Sequence, residues 1–192
     1  MKERKEKRKW GLIFFIVLIM IGTSFSFVFF GFSPGSENAR YNGIKFDRLS
    51  DRWEAKINGK TAAFSFLPNE VENINVSEDV ANMLQGKFEI DVTSDLNDSN
   101  NESIALAQHQ MGLTFLAYSI YVRKGFTSNN TFNFPIINCS DATPKVPVVY
   151  FKHGNVTRIH SQNSCIIAES PSSVDFIKVK DRLLYSTLGV LK

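Results

Sequence analysis

The sequence predicts an α/β (α+β) protein, with a single N-terminal transmembrane helix followed by one mixed β-sheet domain with packed helices. Three observations lead to this fold class. An uncharged, apolar segment occupies residues 10–32. Short stretches of alternating polar and apolar residues recur between residues 44 and 169, which is typical of strands. Two longer segments, residues 102–122 and 172–188, repeat apolar residues every three or four positions, as helices do.

The basic tip of the chain, residues 1–9, sets the expected orientation. It carries six basic and two acidic side chains, and subtracting these from the chain's 22 and 19 leaves 16 and 17. Because positive flanks stay in the cytoplasm, the part of the chain after the apolar segment is expected outside the cell membrane. That part has no basic surplus for binding phosphates, so no nucleic acid is expected as a partner.

The apolar segment, residues 10–32, is long enough for a membrane anchor. At about 1.5 Å per residue it reaches roughly 35 Å, against a hydrocarbon layer of ~30 Å, so the lipid bilayer is its expected partner. A cleaved signal peptide is one alternative, although such peptides have a shorter apolar core. A pilin-like filament subunit is another, although Trp10 separates the basic Lys9 from Gly11, where trimming would be expected.

The extracytoplasmic domain is predicted to span residues 44–192, after a linker at residues 33–43 that is rich in Pro, Gly, Ser and Asn. Alternation through residues 44–66 predicts a meander of two or three strands. Asn58-Gly59 lies within it and is a strong hairpin signal, because both turn residues must adopt positive φ.

The middle of the domain is predicted to contain two helices and a strand. Ser77 caps a short helix that ends near Gln85, and residues 87–93, KFEIDVT, read as a strand. The long helix should run from Glu102 to about Val122. Its apolar stripe comprises Ile104, Ala107, Met111, Phe115, Tyr118 and Val122, and Leu113, Leu116 and Ile120 widen it. We therefore expect this helix to be buried on most sides.

The last third of the chain is predicted to return to strands and to end in a helix. The strands are expected at residues 134–138, 146–152, 156–160 and 164–169, with a turn at His153-Gly154-Asn155 between two of them. Ser172 or Ser173 should cap the final helix. One face of that helix carries Phe176, Val179, Leu183, Leu184 and Leu188. Two apolar helices need a sheet face to cover, which favours a mixed sheet over a sandwich.

Cys139 and Cys165 are the two cysteines of the chain, and both lie in the part placed outside the membrane. An oxidising compartment and an even count predict a disulfide between them. A reactive thiol is the alternative, but it would need a lowered pKa, and the sequence has neither a C-x-x-C motif nor a cationic cluster to supply one.

Six asparagines occupy N-x-[ST] sequons, which marks the domain as a possible glycoprotein. Those proposed as possible glycosylation sites are Asn75, Asn97, Asn101, Asn129 and Asn155. Asn138, beside Cys139, is the least suited.

Catalytic, metal and cofactor motifs are absent from the sequence. His109, His153 and His160 share no metal-ligand spacing, and neither a G-x-S-x-G elbow nor a phosphate-binding G-x-x-x-x-G-K-[ST] loop is present. The sequence therefore predicts no enzyme site, no metal and no cofactor. It favours an extracytoplasmic binding or structural accessory domain, whose expected partners are other membrane or envelope proteins.

One stretch resembles a known family. Val146-Pro147 followed by VVYFKHGNVTRI is similar to the late hairpin of thioredoxin-like domains, in which Val-Pro precedes an apolar strand and a Lys-x-Gly turn. The resemblance covers about fifteen residues and implies an alternative function as an extracytoplasmic redox or folding factor. In that family the redox pair lies on a helix after an earlier strand. The helix predicted from Glu102 contains no cysteine, so the resemblance extends to topology and not to thiol chemistry.

Overall fold

The computed structural model describes residues 10–22 and 37–191. Residues 10–22 form a helix, α1, in an N-terminal unit that ends at Glu37, and Asn38–Lys192 form a second compact unit. Among the described helices, none combines the length and the apolar character needed to cross a membrane. The predicted transmembrane helix is thus not supported by the described residues. Its second part, residues 23–32, and the basic tip, residues 1–9, lie outside them.

The second unit begins with four consecutive strands and continues with a mixture of helices and strands from Pro68 onward. Its strands are β1 (Asn38–Tyr41), β2 (Ile44–Leu49), β3 (Arg52–Ile57), β4 (Lys60–Phe64), β5 (Asn75–Val76), β6 (Glu89–Ser94), β7 (Tyr121–Phe126), β8 (Val148–His153), β9 (Arg158–Gln162) and β10 (Cys165–Ser170). Its helices are α2 (Pro68–Val71), α3 (Asp79–Leu84), α4 (Asn101–Ala117) and α5 (Ser173–Thr187), and a 3₁₀ turn covers Cys139–Asp141.

These strands form two sheets, whereas the sequence predicted a single mixed sheet. The meander sheet has the order β1-β2-β3-β4 and is antiparallel throughout. The mixed sheet has the order β5-β9-β10-β8-β6-β7, and its only antiparallel pair is β9 with β10. Tight turns join each strand of the meander to the next, so these strands pair with one another and not with the later ones.

The turns of the meander sheet depend on two Asn-Gly pairs. Asn58 and Gly59 have φ of 50° and 81° and join β3 to β4, which confirms the predicted hairpin. Asn42 and Gly43 have φ of 46° and 80° and join β1 to β2 in the same way. Strand β1 therefore lies within residues 33–43, which the sequence assigned to a linker.

Helix α4 is shorter than predicted, because it ends at Ala117 and not near Val122. Ser119, with φ of 62°, turns the chain, and Val122 then lies in β7, opposite Ile90 of β6 in parallel register. The apolar stripe of the helix continues in sequence across this turn and hides the boundary. The strand predicted at residues 134–138 is also wrong, since only a single bridge links Ile136 to Phe126.

The thioredoxin-like hairpin predicted around His153-Gly154-Asn155 does not form. Strand β10 lies between β8 and β9, parallel to β8 and antiparallel to β9. Asn163, with φ of 56°, turns β9 directly into β10. The segment from Val146 onward has the expected strands, but their pairing differs from that of the family it resembles.

Helix α5 lies at the centre of the second unit. The ring of Tyr185 stacks on Phe64 of the meander sheet with centroids 4.1 Å apart. Phe176 packs 6.5 Å from Phe151 of the mixed sheet, and one continuous core contains residues of both sheets, α4 and α5. The final helix is confirmed as predicted: Ser172 caps its N-terminus by accepting a hydrogen bond from the Asp175 N–H.

Every residue of α5 from Val179 to Thr187 is buried, including its charged ones. Such burial is tolerated only when polar groups find partners inside the protein. The guanidinium of Arg182 donates to the Ile74 carbonyl at 3.4 Å and to Ser186 Oγ at 2.5 Å. The polar face of α5, which an amphipathic pattern would assign to solvent, therefore packs inside the domain.

Candidate binding groove

A ridge of leucines on α4 faces solvent, contrary to the prediction that this helix is buried on most sides. Leu106, Leu113 and Leu116 are 48%, 58% and 65% exposed and lie on one side of the helix. The opposite side, with Ile104, is fully buried in the core. Since α4 is apolar on both sides, its sequence pattern could not show which side the domain covers. We call Leu106, Leu113 and Leu116 the leucine ridge.

A cavity of about 430 Å³ lies beside the leucine ridge, between α4 and strands β3 and β4. We call it the α4 groove. Leu106 and Leu113 form its apolar wall, and Arg52 and Glu54 are among the polar residues opposite. Its volume lies within the range of ~300–1,000 Å³ found for ligand sites, and its lining mixes apolar surface with a few polar groups, as such sites do.

Hydrogen bonds join α4 to β4 and to Ser65, the residue after it, and fix the shape of the groove. Thr114 Oγ1 donates to the Ala63 carbonyl at 3.2 Å, and Ser65 Oγ donates to Gln110 Oε1 at 3.3 Å. Strand β4 is an edge strand, and these contacts occupy part of its free edge. The groove is therefore pre-formed and would not need to be ordered by its ligand.

The polar wall carries a charge pair within the meander sheet. Arg52 Nε donates to Glu54 Oε1 at 2.9 Å, and His109 of α4 lines the same cavity. The Arg52 side chain is about half exposed, so the pair contributes little to stability but presents both signs of charge to a ligand. A partner with a polar edge could pair with either group.

A buried ion pair lies at the base of the groove. Lys180 lines it and places its Nζ 2.5 Å from Asp181 Oδ1, with both side chains almost fully buried. Asp181 Oδ2 also accepts the N–H groups of Ser65 and Phe66, each at 2.9 Å. Burial raises the pKa of Asp181, and Lys180 and the two N–H groups oppose that rise.

The partners of Asp181 indicate a structural role. One carboxylate oxygen is engaged by Lys180 and the other by two backbone donors, and the carboxylate has no solvent exposure. The same contacts hold the end of β4 against α5. We interpret the Lys180–Asp181 pair as the support of the groove and not as catalytic machinery.

On the other side of the leucine ridge lies a smaller depression of about 190 Å³. Leu113 and Leu116 line it together with Tyr121 and Lys124 of β7. Burial lowers the pKa of Lys124, while Tyr121 is exposed. The leucine ridge is thus flanked by a recess on each side. Side chains of a bound molecule could enter these recesses while its apolar surface covers the leucines.

The two cysteines form the predicted disulfide, away from the groove residues. Cys139 and Cys165 are bonded with a Cα–Cα distance of 5.2 Å, and no free cysteine remains. They pack in a small second core with Ile137, Val148 and Ile167. The disulfide fastens the loop between β7 and β8 to the start of β10, so we expect it to stabilise that loop.

A buried carboxylate on β10 anchors basic side chains from two neighbouring strands. Glu169 accepts a short hydrogen bond from Arg158 Nε and lies 3.7 Å from Lys152 Nζ. Burial by itself would raise the pKa of Glu169, but the hydrogen bond and charge of Arg158, with Lys152, outweigh it and lower the pKa.

The three histidines are not brought together. His109 lines the groove, His153 contacts Asn100 at the end of β8, and His160 lies on β9. Within residues 10–22 and 37–191, no group of three or more His, Cys, Asp or Glu side chains is arranged to hold a metal ion.

The asparagines of the five favoured sequons are exposed, and Asn138 is half-buried. Asn97, Asn129 and Asn155 lie in irregular segments, whereas Asn75 lies in β5 and Asn101 begins α4.

Comparisons with protein-family models, with curated proteins and with solved structures give no match for this chain. The groove itself was not predicted from the sequence. Leu106, outside the predicted stripe, was the available signal, and Leu113 and Leu116 were assigned to the interior.

Proposed function

We propose that this chain is a single-pass membrane protein whose extracytoplasmic domain binds a segment of another membrane or envelope protein in the α4 groove. It acts as a non-enzymatic accessory subunit. The observation that carries the proposal is the solvent exposure of Leu106, Leu113 and Leu116 beside a pre-formed cavity. Contiguous apolar surface on a soluble domain is typical of an interaction site.

The energetics of the leucine ridge support binding of an apolar surface. Fully burying a leucine side chain contributes roughly 1.5–3 kcal/mol, so covering the exposed half of three leucines contributes on the order of 3 kcal/mol. That is only part of what a stable complex needs, since a dissociation constant of ~1 mM already requires about 4 kcal/mol. The two recesses and the polar wall would supply the remaining affinity and the specificity. Arg52, Glu54 and His109 would supply the specificity.

The occupant that fits best is an amphipathic helix. Its apolar residues, three or four positions apart, would pack on the leucine ridge and into the recesses on either side. Its polar edge would face the Arg52–Glu54 pair, which presents both an acceptor and a donor.

The anchor rests on the sequence. Residues 10–32 contain no charge over a length that can cross a bilayer, and the basic tip precedes them. The disulfide between Cys139 and Cys165 supports an oxidising compartment for the domain. Together these features support the proposed topology, with the N-terminus in the cytoplasm and the α4 groove outside the cell membrane.

Two measurements on cells that produce the full chain test the proposal. Protease added outside intact cells should digest the domain, and digestion only after lysis would contradict the topology.

A tagged chain carrying both Leu113→Glu and Leu116→Glu should lose the membrane protein that the native chain captures. Val174→Glu is the matched control, because Val174 is exposed to a similar extent but does not line the groove. Equal capture by all three chains would contradict the assignment of the site.

A further inference from the structure

We propose that Asn97 and Asn129 are the N-glycan acceptor sites of the folded domain, and that the other four sequons are not. This inference rests on the proposed extracytoplasmic location. The reaction needs an oligosaccharide carried on a lipid phosphate. The Asn amide nitrogen forms a bond to C1 of the sugar and loses a proton, and the bond between C1 and the phosphate oxygen breaks. No oxidant or reductant is required.

The selection of two sites follows from the exposure of both reacting positions of each sequon. The asparagine must reach the sugar, and the hydroxyl two residues later must reach the enzyme that recognises it. Asn97 and Ser99 are both exposed in the loop between β6 and α4. Asn129 and Thr131 are both exposed in the loop after β7.

The other four sequons each fail one of these conditions. Asn155 is exposed, but Thr157 is half-buried, donates to Asp175 Oδ2 at 3.3 Å and contacts Ser170 Oγ at 3.2 Å. The hydroxyls of the sequons at Asn75 and Asn101 belong to Ser77 and Ser103, which are half-buried.

At the remaining sequon the asparagine itself is restricted. Asn138 is half-buried beside the disulfide, and its backbone N–H donates to Asp141 Oδ2 at 2.7 Å. That backbone hydrogen bond makes Asn138 the N-cap of the 3₁₀ turn at Cys139–Asp141, and a bulky sugar on its half-buried side chain would crowd this turn and the disulfide.

The two proposed sites are compatible with the binding function. Neither Asn97 nor Asn129 lines the α4 groove. Glycans at these loops are bulky and hydrophilic and would shield other surface while leaving the leucine ridge open.

The test uses the full chain with a C-terminal tag that carries one additional, unhindered sequon. It is produced in cells that glycosylate N-x-[ST] sequons on the outer face of a membrane. Glycans are released by an amidase that converts each modified Asn to Asp, and peptide mass spectrometry locates them. We expect modification of the tag, Asn97 and Asn129. Asn97→Gln and Asn129→Gln should each remove one glycan, and the matched control Asn155→Gln should remove none.

The other outcomes separate the two proposals. A modified tag with unmodified Asn97 and Asn129, or with equal occupancy at Asn75, Asn101, Asn138 or Asn155, would overturn the site assignment and leave the topology intact. An unmodified tag would place the domain inside the cell, and would overturn both this inference and the proposed function.

Discussion

Helices α4 and α5 pack side by side, and the burial of each differs from what its sequence pattern predicts. Helix α5 is more buried than its pattern predicts, and α4 is more exposed. Helix α5 is amphipathic, yet it is buried from Val179 to Thr187 because both sheets and the helices α2, α3 and α4 pack around it. Helix α4 carries apolar residues on two opposite sides, yet Leu106, Leu113 and Leu116 remain exposed. The difference teaches that burial in this domain is decided by which elements are available to cover a helix. The domain covers α5 on all sides from Val179 onward, whereas it leaves the side of α4 that carries the leucine ridge uncovered.

The largest expected effect comes from removing a polar contact of α5. Asp181→Ala would leave the Lys180 ammonium and two backbone N–H groups buried without an acceptor. We expect a loss of about 3–5 kcal/mol in the free energy of unfolding, as is typical for breaking a buried ion pair. Urea unfolding of the full chain in detergent, monitored by near-UV circular dichroism, measures this free energy.

A paired substitution sharpens that result. The chain with both Lys180→Met and Asp181→Asn contains no unpaired charge, so it should lose less stability than the two single variants predict by addition. Additive losses would show that the two residues do not act as a pair.

The disulfide should have the next largest effect. Replacing Cys139 by Ala breaks a bond between residues 26 positions apart in the sequence. The loop between β7 and β8 is then no longer tied to β10. The chain-entropy model gives a loss of about 3 kcal/mol. Limited proteolysis should then cut within residues 127–147 while α4 and α5 stay intact, and uniform digestion of the whole domain would contradict a local role.

The charge cluster at Glu169 predicts a smaller, pH-dependent effect. Because its pKa is lowered in the folded state, Glu169 stabilises the fold above the unfolded value near 4.3, and this contribution is lost as the pH falls through the folded pKa. Glu169→Gln should therefore cost about 1 kcal/mol at pH 7, and the difference from the native chain should shrink below about pH 4. A constant difference between pH 7 and pH 3 would contradict the ionic contribution. The Asp181 titration is common to both chains and cancels.

The smallest expected effect is on α4 itself. Leu113→Ala removes exposed atoms and should change the free energy of unfolding by less than about 0.5 kcal/mol. Leu183→Ala, the matched change in buried α5, should cost about 2–5 kcal/mol. Similar losses for the two variants in urea unfolding would show that the leucine ridge is part of the core.

The sequence predicted local structure better than it predicted the arrangement of the elements. Asn58-Gly59, the Ser172 cap and the cysteine pair depend on neighbouring residues or on compartment, and the structure confirms them. The second sheet and the insertion of β10 between β8 and β9 depend on contacts between distant residues, which have no local signal. The end of α4 was missed because Val122 continues the helical spacing by coincidence.

The candidate site was missed for a related physical reason. Apolar residues indicate burial, but they do not say whether the covering surface belongs to the same chain. Leu113 and Leu116 were therefore assigned to the interior, although they are exposed in the domain alone. If the α4 groove binds a partner as proposed, these leucines are buried in the complex, where the partner covers them.

Site-specific photo-crosslinking in intact membranes tests that claim most directly. A photoreactive amino acid at position 113, in the leucine ridge, should give one discrete adduct with another membrane or envelope protein. The same probe at position 174, which is equally exposed on α5, should give none. No adduct at position 113, or the same adducts at both positions, would contradict the assignment of the α4 groove as the binding site.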